Sequence, residues 1–247
     1  MNKLHVIKTG TTFPALLERR GDFEHWILSG AKLRPEDVVI SDVCGDAFLP
    51  AYEDIASIIV TGSHSMVTDG LDWIERTASW LRVAVGQRIP VLGICFGHQL
   101  LAYALGGEVG RNPNGREYGT VEVHLNETAN TDGLLGRFGS VIKVHASHTQ
   151  SVLKLPRGAI RLASSDTDPN QAFVVGGTAW GVQFHPEFDA EIATAYVEFN
   201  VELLRKENQD PKRLIERVTD TRYGSEILQR FAALTSGDRR AGGRGVR

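Results

Sequence analysis

The sequence predicts an α/β fold: an open, mostly parallel twisted sheet flanked by helices, with added antiparallel strands. Two observations carry this. In the first half, short apolar runs alternate with amphipathic stretches, the pattern of strands covered on both faces by helices. After residue 108 the strand-like runs crowd together with Gly, Asn and Asp between them, as antiparallel connections require.

Each element has a local reason. Residues 3–8 (KLHVIK) form the first β-rich run, and residues 13–29 have helical character interrupted near Gly21. Further strands are expected at 38–43, 57–61 (SIIVT) and 90–94 (PVLGI). Before the last of these, Leu71, Ile74, Ala78, Leu81 and Val85 recur at helical spacing and make one apolar stripe. Asp69 is the expected N-cap of that helix and Gly86 its stop. Residues 97–105 read as a second helix ending at Gly106-Gly107. The antiparallel additions fall at 120–125, 141–145, 159–163, 172–175 and 179–184. Residues 189–206 are helical, and 211–235 hold one or two more helices.

The 247 residues, 42% hydrophobic, suffice for one substantial core, so residues 1–235 are read as a single domain. Residues 236–247, with four Arg and several Gly, are expected to be a frayed, solvated tail. The net charge of −3 offers no global basic field, so nucleic acid is not an expected partner. No apolar run reaches membrane-spanning length and no signal peptide follows Met1, so a cytoplasmic protein is expected. The two cysteines, Cys44 and Cys95, are too few for a disulfide framework or a Cys-rich zinc site.

The most informative segment is Gly93-Ile94-Cys95-Phe96-Gly97. A buried strand runs into Cys95 and a helix starts directly after it. Glycines at ±2 remove the Cβ atoms that a sharp strand-to-helix turn would bring into collision, as in G-x-S-x-G nucleophile elbows. Such a turn presents the thiol at the carboxyl end of the sheet, where open α/β sheets bind ligands. A helix N-terminus favours negative charge there, and the Phe96 N–H can serve as an oxyanion donor.

A nucleophilic Cys needs a base, and the base an orienting group. His185 follows a strand, Pro186 ends that strand, and Glu187 stands two residues on, where its carboxylate can curl back to the imidazole. His98 is a competitor, but within the new helix it is expected to pack under the elbow. Cys95 with His98, and His145 with His148, give i,i+3 pairs without a second pair to complete a metal site. No metal and no cofactor are called for. Cys44 is read as a structural thiol.

GICFGHQ at 93–99 and GVQFHPE at 181–187 resemble the paired motifs of class I (triad) glutamine amidotransferases. The resemblance covers roughly residues 3–205 and implies a flavodoxin-like sheet and the triad Cys95, His185 and Glu187. TGSHS at 61–65 stands where the family has its oxyanion loop, with Gly62-Ser63-His64 in place of the usual Gly-Gly-Pro. The resemblance places the second oxyanion N–H near Ser65, with Ser63 facing substrate. It also makes Gln99 a residue that helps hold substrate. ASHTQSV at 146–152 corresponds to the segment that grips the amino-acid end, which implies contacts from Ser147, Thr149 and Gln150.

The resemblance implies hydrolysis of the side-chain amide of L-glutamine, or of another γ-glutamyl compound, through a Cys95 thioester. Arg116-Glu117-Tyr118-Gly119 looks like the glutaminase domain of GMP synthase. The sequence has neither an SGG-x-D-S nor a Walker-type phosphate loop, so a separate synthetase subunit is the expected recipient of ammonia. Two alternatives stay open: a free-standing γ-glutamyl peptidase, and a non-catalytic regulatory or binding module.

Overall fold

The structure is a computed structural model that describes residues 2–45 and 48–241. Its elements in chain order are β1 (Lys3–Lys8), α1 (Pro14–Arg20), α2 (Phe23–Ala31), β2 (Val38–Asp42), β3 (Ile55–Val60), α3 (Asp72–Gly86), β4 (Val91–Ile94) and α4 (Phe96–Ala104). Then follow β5 (Glu108–Arg111), β6 (Glu117–Leu125), β7 (Val141–His148), β8 (Gln150–Lys154), β9 (Ala159–Ser164), β10 (Ala172–Val175) and β11 (Ala179–Val182). The chain ends in α5 (Ala190–Phe199), α6 (Val201–Lys206), α7 (Pro211–Glu216) and α8 (Tyr223–Ala241).

Nine strands form the main sheet in the order β2-β1-β3-β4-β11-β10-β9-β6-β7. The first five run parallel. The rest add on antiparallel, as the crowding of runs after residue 108 predicted. Parallel strands fed by helical crossovers bring all their carboxyl ends to one edge. The loops after β1, β3, β4 and β11 therefore meet.

Alternation along the strands divides the core in two. Leu4, Val6 and Ile59 pack beneath Ile27 of α2 and Phe231 of α8 on one face. Ile7, Ile58 and Val60 pack with Leu81 of α3 and Leu101 of α4 on the other. Both faces of β1 and β3 are thus covered, which is why their sequences read as apolar runs rather than as alternation.

Three local expectations are corrected. Asp69 does not cap α3: its carboxylate accepts the Met66 N–H at 2.8 Å and closes a separate 3-10 turn. Gly70, at φ 62°, then turns the chain so that Leu71 is the N-cap. The small β5–β8 sheet has no clear signal in the sequence, because β5 has only four residues and none of them is buried. The last helix runs to Ala241 rather than ending at 235; Arg239, Arg240 and Ala241 are good helix formers. The remainder of the expected tail, residues 242–247, lies outside the described residues. Among the described residues no helix is long and apolar enough to cross a membrane.

Candidate active site

Cys95 sits between β4 and α4 with φ 50° and ψ −101°, a region that non-glycine residues rarely enter. Its surroundings hold it there. The Cys95 N–H donates to Val182 O at 2.9 Å, and the Gly97 N–H donates to Thr61 O at 3.2 Å. A Cβ on Gly93 would stand 2.3 Å from Gly97 O, and one on Gly97 would stand 2.4 Å from Val60 O. Only glycines let the helix start this close to β3. Phe96 is the first residue of α4, so its N–H is one of the four that a helix leaves without an intrahelical acceptor.

His185 lies just past β11 and is tied to β7, its N–H donating to His145 O at 2.8 Å. Its ring stacks on Phe188 at 4.0 Å between centroids, and Nδ1 lies 2.8 Å from Glu187 Oε1. Gly62 leaves room for the ring, since a Cβ there would be 2.9 Å from His185 Cε1. Burial by itself lowers the His185 pKa. The charges of Glu187 and Cys95, with hydrogen bonds to both, outweigh burial and raise it to about 10. His98, by contrast, is fully buried against Phe173, and burial drives it down to about 4. It packs under the elbow, as expected.

Cys95 and His185 open on a cleft of about 300 Å³. That is the lower end of the range for small-molecule sites. Ser63, Ser65, Phe96, Gln99, Ser147, Thr149 and Gln150 all line it. Glu187 stands behind His185 and is buried.

Details differ from the expected contacts. The Ser65 N–H donates to Ser63 Oγ at 3.1 Å, so this donor already has a partner inside its own loop. Gln99 is buried with both amide hydrogens committed, Nε2 donating to Gln150 O at 2.7 Å and to Gln183 Oε1 at 3.0 Å. It braces the cleft instead of offering its amide hydrogens to a ligand. Thr149 Oγ1 accepts from Arg116 Nη1. Gln150 donates to Thr68 Oγ1 at 2.6 Å, while its buried Oε1 has no partner among the described residues.

The cleft also contains residues that the sequence did not single out as site residues. Arg116, anchored by Glu207 at 2.7 Å, and Tyr118 come from the Arg-Glu-Tyr-Gly segment. Tyr196 comes from α5, and nothing in its local sequence marks it. Its hydroxyl is 3.0 Å from Thr12 Oγ1 and 3.4 Å from His64 Nε2. Gln183, inside GVQFHPE, donates to Cys95 Sγ at 3.6 Å.

Among the described residues one group, Glu117, His148 and Asp168, brings three possible metal ligands within 4.8 Å of one another. Their atoms are already occupied. His148 bonds Glu117 at 2.8 Å and Gln150 O at 3.1 Å. Glu117 also accepts from Ser165 at 2.6 Å, and Asp168 accepts from Ser151 at 2.5 Å and from the Asn170 N–H at 2.8 Å. The group is a buried hydrogen-bond network beneath the cleft. Cys44 is an exposed free thiol after β2, and partial burial together with the Asp42 charge raises it to about 11.

The family model for glutamine amidotransferase class-I matches residues 34–202. The chain belongs to the class I glutamine amidotransferase family. The glutamine-hydrolyzing GMP synthase component of Sulfurisphaera tokodaii, one piece of a divided enzyme, is 35% identical over 192 residues, 75% of this amidotransferase chain and 89% of that relative. Gamma-glutamyl peptidase 5 of Arabidopsis thaliana is 32% identical over 179 residues, 70% of this chain and 69% of its own length. A Saccharomyces cerevisiae protein named as a glutamine amidotransferase is 34% identical over 62% of this chain, and the match spans 59% of its length. The fold matches a glutamine amidotransferase crystal structure from Thermotoga maritima with a TM-score of 0.75 at 23% identity, covering 95% of this chain and 98% of the other. The amidotransferase fold thus accounts for the sheet and its antiparallel extension together.

Proposed function

We propose that the protein hydrolyses γ-glutamyl amides, with L-glutamine as substrate and glutamate and ammonia as products, using Cys95 as nucleophile and His185 and Glu187 as its partners. The observation that carries this is the buried His185–Glu187 pair at 2.8 Å beside a cysteine held at positive φ. The Cys95 thiolate attacks the side-chain carbonyl carbon, and a C–S bond forms. The oxygen takes the negative charge and is met by the Phe96 N–H and by an N–H of the 61–65 loop. Each such donor is worth about 3–4 kcal/mol. If Ser65 supplies the second donor, its N–H must leave Ser63 Oγ. Collapse breaks the C–N bond, and protonated His185 gives its proton to the leaving amine. Water then attacks the thioester, His185 takes a proton from it, and the Cys95 thiolate leaves glutamate.

Ser147, Thr149 and Gln150 are proposed to hold the amino-acid end of the substrate. The ammonia is proposed to pass to a separate synthetase subunit, by analogy with the divided GMP synthases among the relatives. A rapid-quench experiment with L-glutamine tests the chemistry. The expected result is a γ-glutamyl adduct at Cys95 and equal yields of glutamate and ammonia, with neither product from Cys95→Ala. Glutamate release by Cys95→Ala at the wild-type rate would refute the assignment.

One observation favours a second reading, hydrolysis of γ-glutamyl peptides. Tyr196, whose ring is 6.4 Å from that of His185, is followed on the same helical face by Phe199, which lines the cleft and is 62% exposed. The leaving amine departs toward His185, so an apolar wall there suits a leaving group larger than ammonia. Turnover of γ-glutamyl-phenylalanine above that of glutamine, without any partner, would favour this reading. Low glutaminase activity raised by an added synthetase would favour the first.

A further inference from the structure

We propose that Gln183 holds the Cys95 sulfur in its attacking position through its side-chain amide, and that Gln99 is the positioning residue that sets the direction of that amide. The proposal rests on Cys95 being the nucleophile and adds a residue to that account.

Gln183 is fully buried at the end of β11, with its backbone N–H on Gln171 O at 2.8 Å. A buried primary amide has two orientations, and only one places a donor on the sulfur. Gln99 decides between them. Its Nε2 also donates to Gln150 O at 2.7 Å, so it meets Gln183 as a donor, and Gln183 Oε1 must be the acceptor at 3.0 Å. The Gln183 Nε2 is thereby turned to Cys95 Sγ at 3.6 Å. A donor in this place favours the thiolate over the thiol and opposes rotation of the sulfur toward Ser147 O, which lies 3.8 Å away. The Gln150 carbonyl that fixes Gln99 belongs to the strand whose side chains line the cleft. One run of hydrogen bonds therefore joins the floor of the cleft to the nucleophile.

Two variants test this: Gln183→Met, which removes the donor at similar volume, and Gln183→Glu. A protonated carboxyl group repeats the donor and acceptor pattern of the amide, whereas a carboxylate repels the thiolate. The readouts are steady-state kinetics, iodoacetamide alkylation of Cys95 and thermal melting. Gln183→Met is expected to lose roughly ten- to a hundredfold in kcat and to alkylate more slowly, with KM changed by less than about twofold. Gln183→Glu is expected to be poor at pH 8 and to recover relative to wild type as the pH falls. Wild-type kcat in a folded Gln183→Met variant would overturn the proposal. So would losses that track melting alone, with no pH recovery in Gln183→Glu, since that pattern describes a packing role. Failure of the underlying reading looks different: iodoacetamide would then label the wild-type protein at a site other than Cys95, whichever residue stands at 183.

Discussion

His185 Nδ1 and Glu187 Oε1 lie 2.8 Å apart across a single turn that Pro186 starts, and both side chains are buried. The short chain distance makes the pair local, while its burial depends on Phe188 of the same turn and on Phe23 and Tyr196 from elsewhere. Glu187→Gln keeps an acceptor for Nδ1 but removes the charge. Steady-state kinetics should show kcat reduced about a hundredfold with little change in KM, within the usual range for disabling a base.

The pH dependence follows from the direction of the His185 shift. A histidine raised from 6.5 to about 10 is protonated in the folded protein through neutral pH. The leaving amine is protonated by that form, so the alkaline limb of kcat/KM should lie near pH 10 rather than near 6.5. The same shift stabilises the fold. The contribution is complete below pH 6.5 and is lost as the pH rises toward 10. Denaturant melts should show the stability gap between wild type and His185→Gln narrowing across that window.

His145 behaves in the opposite sense. Burial lowers it to about 4, so the unfolded chain binds a proton between pH 6.5 and 4 that the folded protein refuses. Stability should fall as the pH drops through this range. In His145→Gln the fall should be shallower, as measured by the slope of melting temperature against pH.

Gly93→Ala tests the elbow without touching a reactive group. The new methyl would meet Gly97 O at 2.3 Å, and the first turn of α4 would have to move. The expected cost is about 1–3 kcal/mol of stability or more. Turnover should fall by a larger factor than this loss explains, because Phe96 N–H and Cys95 move together. Paired melting and kinetic measurements separate the two effects.

The elbow was legible because its constraints are local: a strand, a helix and two glycines fix the position of Cys95. The parallel half of the sheet was legible for a related reason, since doubly covered strands must be apolar throughout. The two sides of the cleft differed. Thr149 and Gln150 were marked by resemblance, but their partners Arg116 and Thr68 lie far away in sequence. Tyr196 lies on an ordinary amphipathic helix, and only the docking of α5 near His185 brings it to the cleft. Gln99 shows the limit most clearly. Its place in the motif predicted a hand on the substrate, yet long-range bonds to Gln150 and Gln183 use both its amide hydrogens.

The nucleophile itself is the most direct point of test. The protein should be incubated with a diazoketone analogue of glutamine and the adduct mapped by peptide mass spectrometry. The account predicts one adduct, on Cys95, absent from Cys95→Ala and slowed by excess L-glutamine. An adduct on the exposed Cys44, or one that persists in Cys95→Ala, would contradict it.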